Sequence, residues 1–194
     1  MAAPPAPFPK QRPSRVFSSL RSRIAFLALS ATVALVLSSA RSVRAEGEKA
    51  TRILVRKRAH EMVVFAGDVP LHTWRVAIGP GGVGPKHIEG DKVTPVGRYH
   101  VIAKSPSVWG TFMRLDYPNA EDRLRFARLK REGKLPRNAT IGGDIGIHGA
   151  PQEREYKKGH KESDWTLGCI ALDDDEIREL ARRVPLGTVV DIED

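Results

Sequence analysis

Cys169 is the only cysteine among 194 residues, and it closes the run Ser163-Asp164-Trp165-Thr166-Leu167-Gly168-Cys169. Shortly before it lies Ile145-Gly146-Ile147-His148-Gly149-Ala150, an apolar, strand-like segment with a single histidine. A thiol is a weak nucleophile until a neighbouring imidazole favours the thiolate. Separation in sequence is no obstacle, because the two groups need only meet in space. The pair therefore points to acyl transfer, with Cys169 as nucleophile and His148 as general base. A buried cysteine acting as a small apolar residue is the plainer alternative. The glycine before the thiol and the upstream His-Gly weigh against it. His148, His160 and Cys169 are all zinc-ligand types, but the paired spacing of a zinc site is missing, so no metal is assigned.

The elements that must position this pair read as mostly β. Arg52–Arg56 and Glu61–Phe65 are short apolar runs joined by a polar turn, Lys57-Arg58-Ala59-His60, and predict a hairpin. Leu71–Ile78 alternates apolar and polar residues, as a strand with one wet face does. Gly79-Pro80-Gly81-Gly82-Val83-Gly84-Pro85 breaks regular structure and predicts a tight structural or substrate-facing loop. Further strands are expected over Arg98–Lys104, Thr111–Leu115 and Thr188–Ile192. Asn119–Lys130 predicts a surface or lid helix, capped by Asn119 and stopped by Gly133, with only a thin apolar stripe. A firmer helix starts at Asp173, with Glu176 completing a capping-box pattern and Ile177, Leu180, Ala181 and Val184 on one face. His160 falls in a lysine-rich polar loop, and His60, His72, His87 and His100 read as surface or sheet residues. One mainly β domain with one or two short helices is the economical reading.

The first 45 residues stand apart. They hold seven Lys or Arg and no Asp or Glu, and Ile24–Leu37 is an uncharged apolar run. A basic start, an apolar run and a small-residue exit form the pattern of a secretory signal. Cleavage is expected after Ala45, with Ala40 as a second possibility and retention as an anchor as the alternative. Residues 46–194 would then form the mature domain, with no stable membrane span, in the periplasm or cell wall. The whole chain carries 32 Lys and Arg against 23 Asp and Glu, a net charge of +9. Without the seven basic residues of the leader, 25 face 23 and the net charge is near +2. Nucleic acid is a poor partner for such a surface, since its basic clusters lack interleaved aromatics. An exported protein with one cysteine also keeps a free thiol where pairs normally become disulfides.

The pieces Gly90-Asp91-Lys92-Val93-Thr94-Pro95-Val96-Gly97, Ile147-His148-Gly149 and Thr166-Leu167-Gly168-Cys169 together resemble the YkuD-type L,D-transpeptidase catalytic domain. That family's signature is a histidine followed at a distance by Ser/Thr-His-Gly-Cys, and here 17 residues separate His148 from Thr166. The resemblance spans residues 51–192 and implies a β-sandwich of mixed sheets with peptidoglycan stem peptides as partners. It implies that Cys169 is acylated by a tetrapeptide stem, that D-alanine leaves, and that an amine accepts the acyl group, with no cofactor. It further implies that the Gly149 carbonyl orients His148 and that N–H groups around Leu167, Gly168 and Cys169 hold the oxyanion. Trp165 reads as either a core anchor or a pocket wall, and Thr166 as either a hydrogen-bonding member of the site or a support of the turn, so both are candidate substrate contacts.

Two departures stand out. Leu167 replaces the signature's second histidine, and Ala171 stands where many members carry Arg or Asn. Arg114 or Arg123 would then have to meet the substrate carboxylate. A branch ending in Trp-Thr-x-Gly-Cys-Ile-Ala-Leu matches this chain more fully and includes proteins that hydrolyse murein. Resolution of the thioester by water, and a non-catalytic wall-binding module, therefore stay open beside transfer. Oligomeric state is not legible in these features.

Overall fold

The expected hairpin forms: β1 (Arg52–Arg56) pairs antiparallel with β2 (Glu61–Ala66), which pairs in turn with β3 (Val69–Arg75). The structure is a computed structural model that describes residues 47–194, so the expected export segment lies outside the described residues. The remaining elements are β4 (Gly97–Ser107), β5 (Gly110–Leu115), α1 (Ala120–Arg131), β6 (Gly146–His148), α2 (Arg154–Lys157), β7 (Ile170–Ala171), α3 (Asp174–Arg183) and β8 (Val189–Glu193). The strands form one mixed sheet in the order β3-β2-β1-β8-β4-β5-β6-β7. Long β4 serves both halves, pairing through Gly97–His100 with β8 and through Val101–Ser107 with β5. Between them Val101 faces Leu115 while Ala103 faces Arg114. Ile102 is left unpaired and half exposed at this bulge, where such an extra residue bends a strand.

The outermost strands of the order approach each other as well. Just past β3, Ala77 and Ala171 exchange N–H···O bonds of 3.1 and 2.8 Å. Two sheet halves therefore wrap one core, as the sandwich expectation required. That core holds Ile53, Val55, Met62, Tyr99, Met113, Leu115, Ile147, Ile170 and Val190, all buried. Because Ile53, Leu54 and Val55 are consecutive and buried, β1 is covered on both faces.

The two main helices are held in different ways. Ile177, Leu180 and Val184 of α3 are buried against the core, each contributing about 1.5–3 kcal/mol by apolar burial. Helix α1 buries only Asp122, and Leu124 on its surface is 72% exposed. Polar bonds fix its start instead. Asn119 caps the helix by accepting from the Asp122 N–H at 3.0 Å, and Asp122 accepts from the Tyr99 hydroxyl at 3.3 Å.

Three local expectations are corrected. The third strand runs over Val69–Arg75, and Val76, Ala77 and Ile78 beyond it are all buried because they cross onto the β7 side of the core. Lys57 does sit in the expected turn, but it is 1% exposed rather than solvated, and its ammonium meets the Asp194 carboxylate at 2.9 Å and the Gly84 carbonyl at 2.9 Å. His160, assigned to a polar loop, is buried, and its Nε2 lies 2.9 Å from Asp173 Oδ1.

Candidate active site

Strand β6 places His148, and the entry to β7 places Cys169. In their parallel pairing His148 is level with Ala171, two residues beyond Cys169. Side chains alternate along a strand, so Cys169 and His148 leave the same face. Both line a cleft of about 730 Å³. Its far wall comes from the β4–β5 hairpin, which contributes Trp109, Phe112 and Arg114. Further lining comes from the loops carrying Lys86, Lys92 and Asp144.

The imidazole of His148 stands in an aromatic box. Its ring centre is 4.9 Å from that of Trp109, 5.6 Å from Trp165 and 6.3 Å from Phe112. Nδ1 lies 2.8 Å from the Gly149 carbonyl, which matches the orienting contact the resemblance implied. A carbonyl only accepts, so Nδ1 carries the proton and Nε2 keeps a free lone pair, the form a general base needs. Burial pushes the His148 pKa below the ordinary histidine value; the Gly149 bond opposes this, and the charge of His160 adds to it.

The Cys169 thiol rests against backbone, with Sγ 3.5 Å from the Asp144 carbonyl as donor. Burial pushes its pKa up and the Asp144 carboxylate pushes it further. The Gly146 N–H and the Lys86 ammonium pull the other way without prevailing. Both shifts favour the uncharged forms, a thiol and a neutral imidazole lining one cleft.

The turn before Cys169 is built from its own hydroxyl. Buried Thr166 donates from Oγ1 to the Cys169 carbonyl at 2.7 Å and accepts from the Gly168 N–H at 3.2 Å. Of the three N–H groups the sequence nominated for an oxyanion, Gly168's is thus engaged. Those of Leu167 and Cys169 make no protein bond in the described hydrogen-bond network. Gly168 itself has φ +125°, and a Cβ there would meet the Val93 carbonyl oxygen at 2.8 Å. Gly79 is as constrained, since its Cβ would fall 1.9 Å from the Lys92 carbonyl oxygen and 3.0 Å from the Gly168 nitrogen. The glycine-rich loop is therefore a backbone bearing for the thiol's turn.

The arginines fare differently from expectation. Arg114 lines the cleft, but its guanidinium is bound to the Asp144 carboxylate. Arg123 lies outside the cleft lining, because burial of its neighbour Asp122 turns the next position of α1 to solvent. Trp165 lines the cleft and also meets His160 edge-on at 6.0 Å, so it is both wall and anchor. Leu167 projects at the cleft rim, 73% exposed. His160 is held on Asp173, and among the described residues no three His, Cys, Asp or Glu side chains are grouped to hold an ion. Sequence reasoning missed Trp109, Phe112, Asp144 and Lys86, none of which sits in a chemical motif of its own.

A family model for the L,D-transpeptidase catalytic domain, YkuD, matches residues 50–192. The chain belongs to this family. No curated protein sequence matches it significantly. Among solved structures, the helical cell shape determining protein Pgp2 of Campylobacter jejuni is similar at a TM-score of 0.55 and 22% identity, covering 76% of this chain and 48% of that one. Bd1075 of Bdellovibrio bacteriovorus gives 0.50 and 24%, covering 77% and 49%. The L,D-transpeptidase of Xylanimonas cellulosilytica gives 0.46 and 12%, covering 75% and 61%. The chain thus spans about half the length of the first two, and the likeness to this L,D-transpeptidase family rests on the shared fold and the family match.

Proposed function

We propose that this L,D-transpeptidase family member is an exported cysteine acyltransferase that remodels peptidoglycan. The observation that carries the reading is the joint placement of Cys169 and His148 in one cleft, with Nδ1 of His148 held on the Gly149 carbonyl. Cys169 Sγ attacks the carbonyl of a tetrapeptide stem while Nε2 of His148 takes the thiol proton. Leu167 and Cys169 N–H groups receive the oxyanion; one such donor is worth about 10²–10³ in rate. His148 returns the proton to the departing D-alanine nitrogen, leaving a thioester on Cys169. An acceptor amine then attacks, His148 removes its proton, and the thiol is restored. Trp165, Thr166 and the Trp109–Phe112 hairpin frame the stem peptide.

The periplasm or cell wall is the compartment this substrate requires, reached through residues 1–45. Incubation with purified disaccharide-tetrapeptides tests the reaction. Crosslinked dimers that vanish in Cys169→Ala support transfer. Tripeptides without dimers identify water as the acceptor and make the protein a hydrolase. Dimers formed by Cys169→Ala would refute the nucleophile.

A further inference from the structure

Lys86 is the cleft's least explained residue. It lines the same cavity as Cys169, yet its side chain is only 3% exposed. An ammonium offers three donors. One is 2.5 Å from Asp91 Oδ1, and the described hydrogen bonds give the others no acceptor. Asp91 is itself saturated, since it also accepts the N–H groups of His87, Ile88 and Val93 at 2.8, 3.1 and 3.0 Å. Burying a charge is costly unless its hydrogen bonds are completed, so a dry ammonium with open donors is prepared for a second anion.

The other cations of the cleft are less suited. Arg114 is bound to Asp144, and Lys92 is exposed at the rim. The position after the thiol where relatives carry arginine offers no room, because Ala171 is fully buried and bridged to Ala77.

We propose that Lys86 recognises the free carboxylate of the amino acid that leaves from the substrate, a role that rests on the transpeptidase reading for the identity of that amino acid. The carboxylate shares the ammonium with Asp91 in a charge-assisted bond inside the cleft. A stem that ends one residue past the scissile carbonyl can make this contact, whereas a longer or amidated stem cannot. Lys86 is thereby the residue that restricts the donor to stems of that length.

The single cysteine allows a test that needs no peptidoglycan. Cys169 is alkylated with iodoacetate, which carries a carboxylate, and with neutral iodoacetamide, and the ratio of the two rates is compared with that of the same chain unfolded in urea. The ratio cancels the thiolate fraction. The expected ratio in the native protein exceeds the unfolded one by about tenfold or more. It persists at molar salt, where exposed charges such as Lys92 are screened. In Lys86→Met it falls to the unfolded value, and in Lys86→Arg it is partly kept. A native ratio equal to the unfolded one, or a folded Lys86→Met protein that still prefers iodoacetate, overturns the proposal; the first comparison stands even if Lys86→Met fails to fold. In a second arm, tetrapeptide stems ending in acid or amide are compared as donors. An iodoacetate preference without any stem processing refutes the transpeptidase reading and leaves Lys86 as a carboxylate receptor.

Discussion

At the residue scale, burial favours the uncharged forms of Cys169 and His148, the proposed catalytic pair, and this has consequences for pH. Burial lowers the His148 pKa and raises that of Cys169. A preformed thiolate–imidazolium pair would alkylate at full rate from mildly acidic pH. Here the alkylation rate of Cys169 should instead climb only above the free-thiol range near about 8.5. A rate plateau below neutrality would contradict the neutral pair. Stability follows the same signs. Above about pH 8.5 the unfolded chain loses the thiol proton that the folded chain keeps, so unfolding gains. Below about pH 6.5 the unfolded chain binds a proton at His148 that the folded chain refuses, so unfolding gains again. The melting temperature of Cys169→Ala should therefore fall less on the alkaline side than that of the wild type; identical alkaline slopes would contradict this. Thr166 gives a sharper case. Thr166→Val removes a donor to the Cys169 carbonyl and strands the Gly168 N–H, at an expected cost of about 1–3 kcal/mol in denaturant unfolding. Thr166→Ser should restore most of it.

At the element scale, the site is a meeting of short pieces held by longer ones. Strands β6 and β7 have three and two residues and could not stand alone. They are supported by β5 on one side and by the Ala77 bridge on the other. Helix α3 ties this region to the loop before Trp165. Glu176 accepts the Asp173 N–H at 2.9 Å, while the Asp173 carboxylate holds His160 Nε2 at 2.9 Å and Lys161 Nζ at 2.8 Å. Asp173→Ala should cost about 1–3 kcal/mol, because it removes the carboxylate that pairs with buried His160 and with Lys161. It should also loosen His160 behind Trp165, read as a change in tryptophan fluorescence; an unchanged spectrum would deny that link. The elements legible in the sequence were those with local signals. The β1–β2 hairpin had its apolar runs, α1 had Asn119, and α3 had Asp173, Glu176 and the Ile177–Val184 face. Strands as short as β6 and β7 carry no period to read, so only His148 and Cys169 marked them. The single turn of α2 was equally silent.

At the scale of the whole molecule, closure of the sheet through Ala77 and Ala171 brings the glycine-rich loop, the Thr94 segment and the thiol's turn into backbone contact. The loop's other end is tied by buried Lys57, which bridges the Gly84 carbonyl and Asp194, while Asp194 also accepts the Gly84 N–H at 2.8 Å. Asp194→Ala should destabilise the fold by about 1–3 kcal/mol, the upper limit held down by the partial exposure of that carboxylate. An unchanged midpoint would show that water replaces it freely. Such long-range pairings explain what the sequence concealed. Lys57 is the turn residue the sequence predicted, but its burial was hidden because nothing local records that Asp194 lies against it. Arg123 looked available because the burial of Asp122 by Tyr99 is tertiary. Lys86 gave no signal, lying in a loop that only the fold turns toward Cys169. The convergence of Cys169 and His148 on one cleft was legible because thiol, imidazole and glycine are chemically rare together. The most direct test of the central claim is intact-mass analysis of the protein quenched during incubation with disaccharide-tetrapeptide. The account predicts an adduct of the donor less D-alanine, located on Cys169, labile to hydroxylamine as a thioester and missing in Cys169→Ala. Stem turnover with no adduct on Cys169, or with one on another residue, would contradict it.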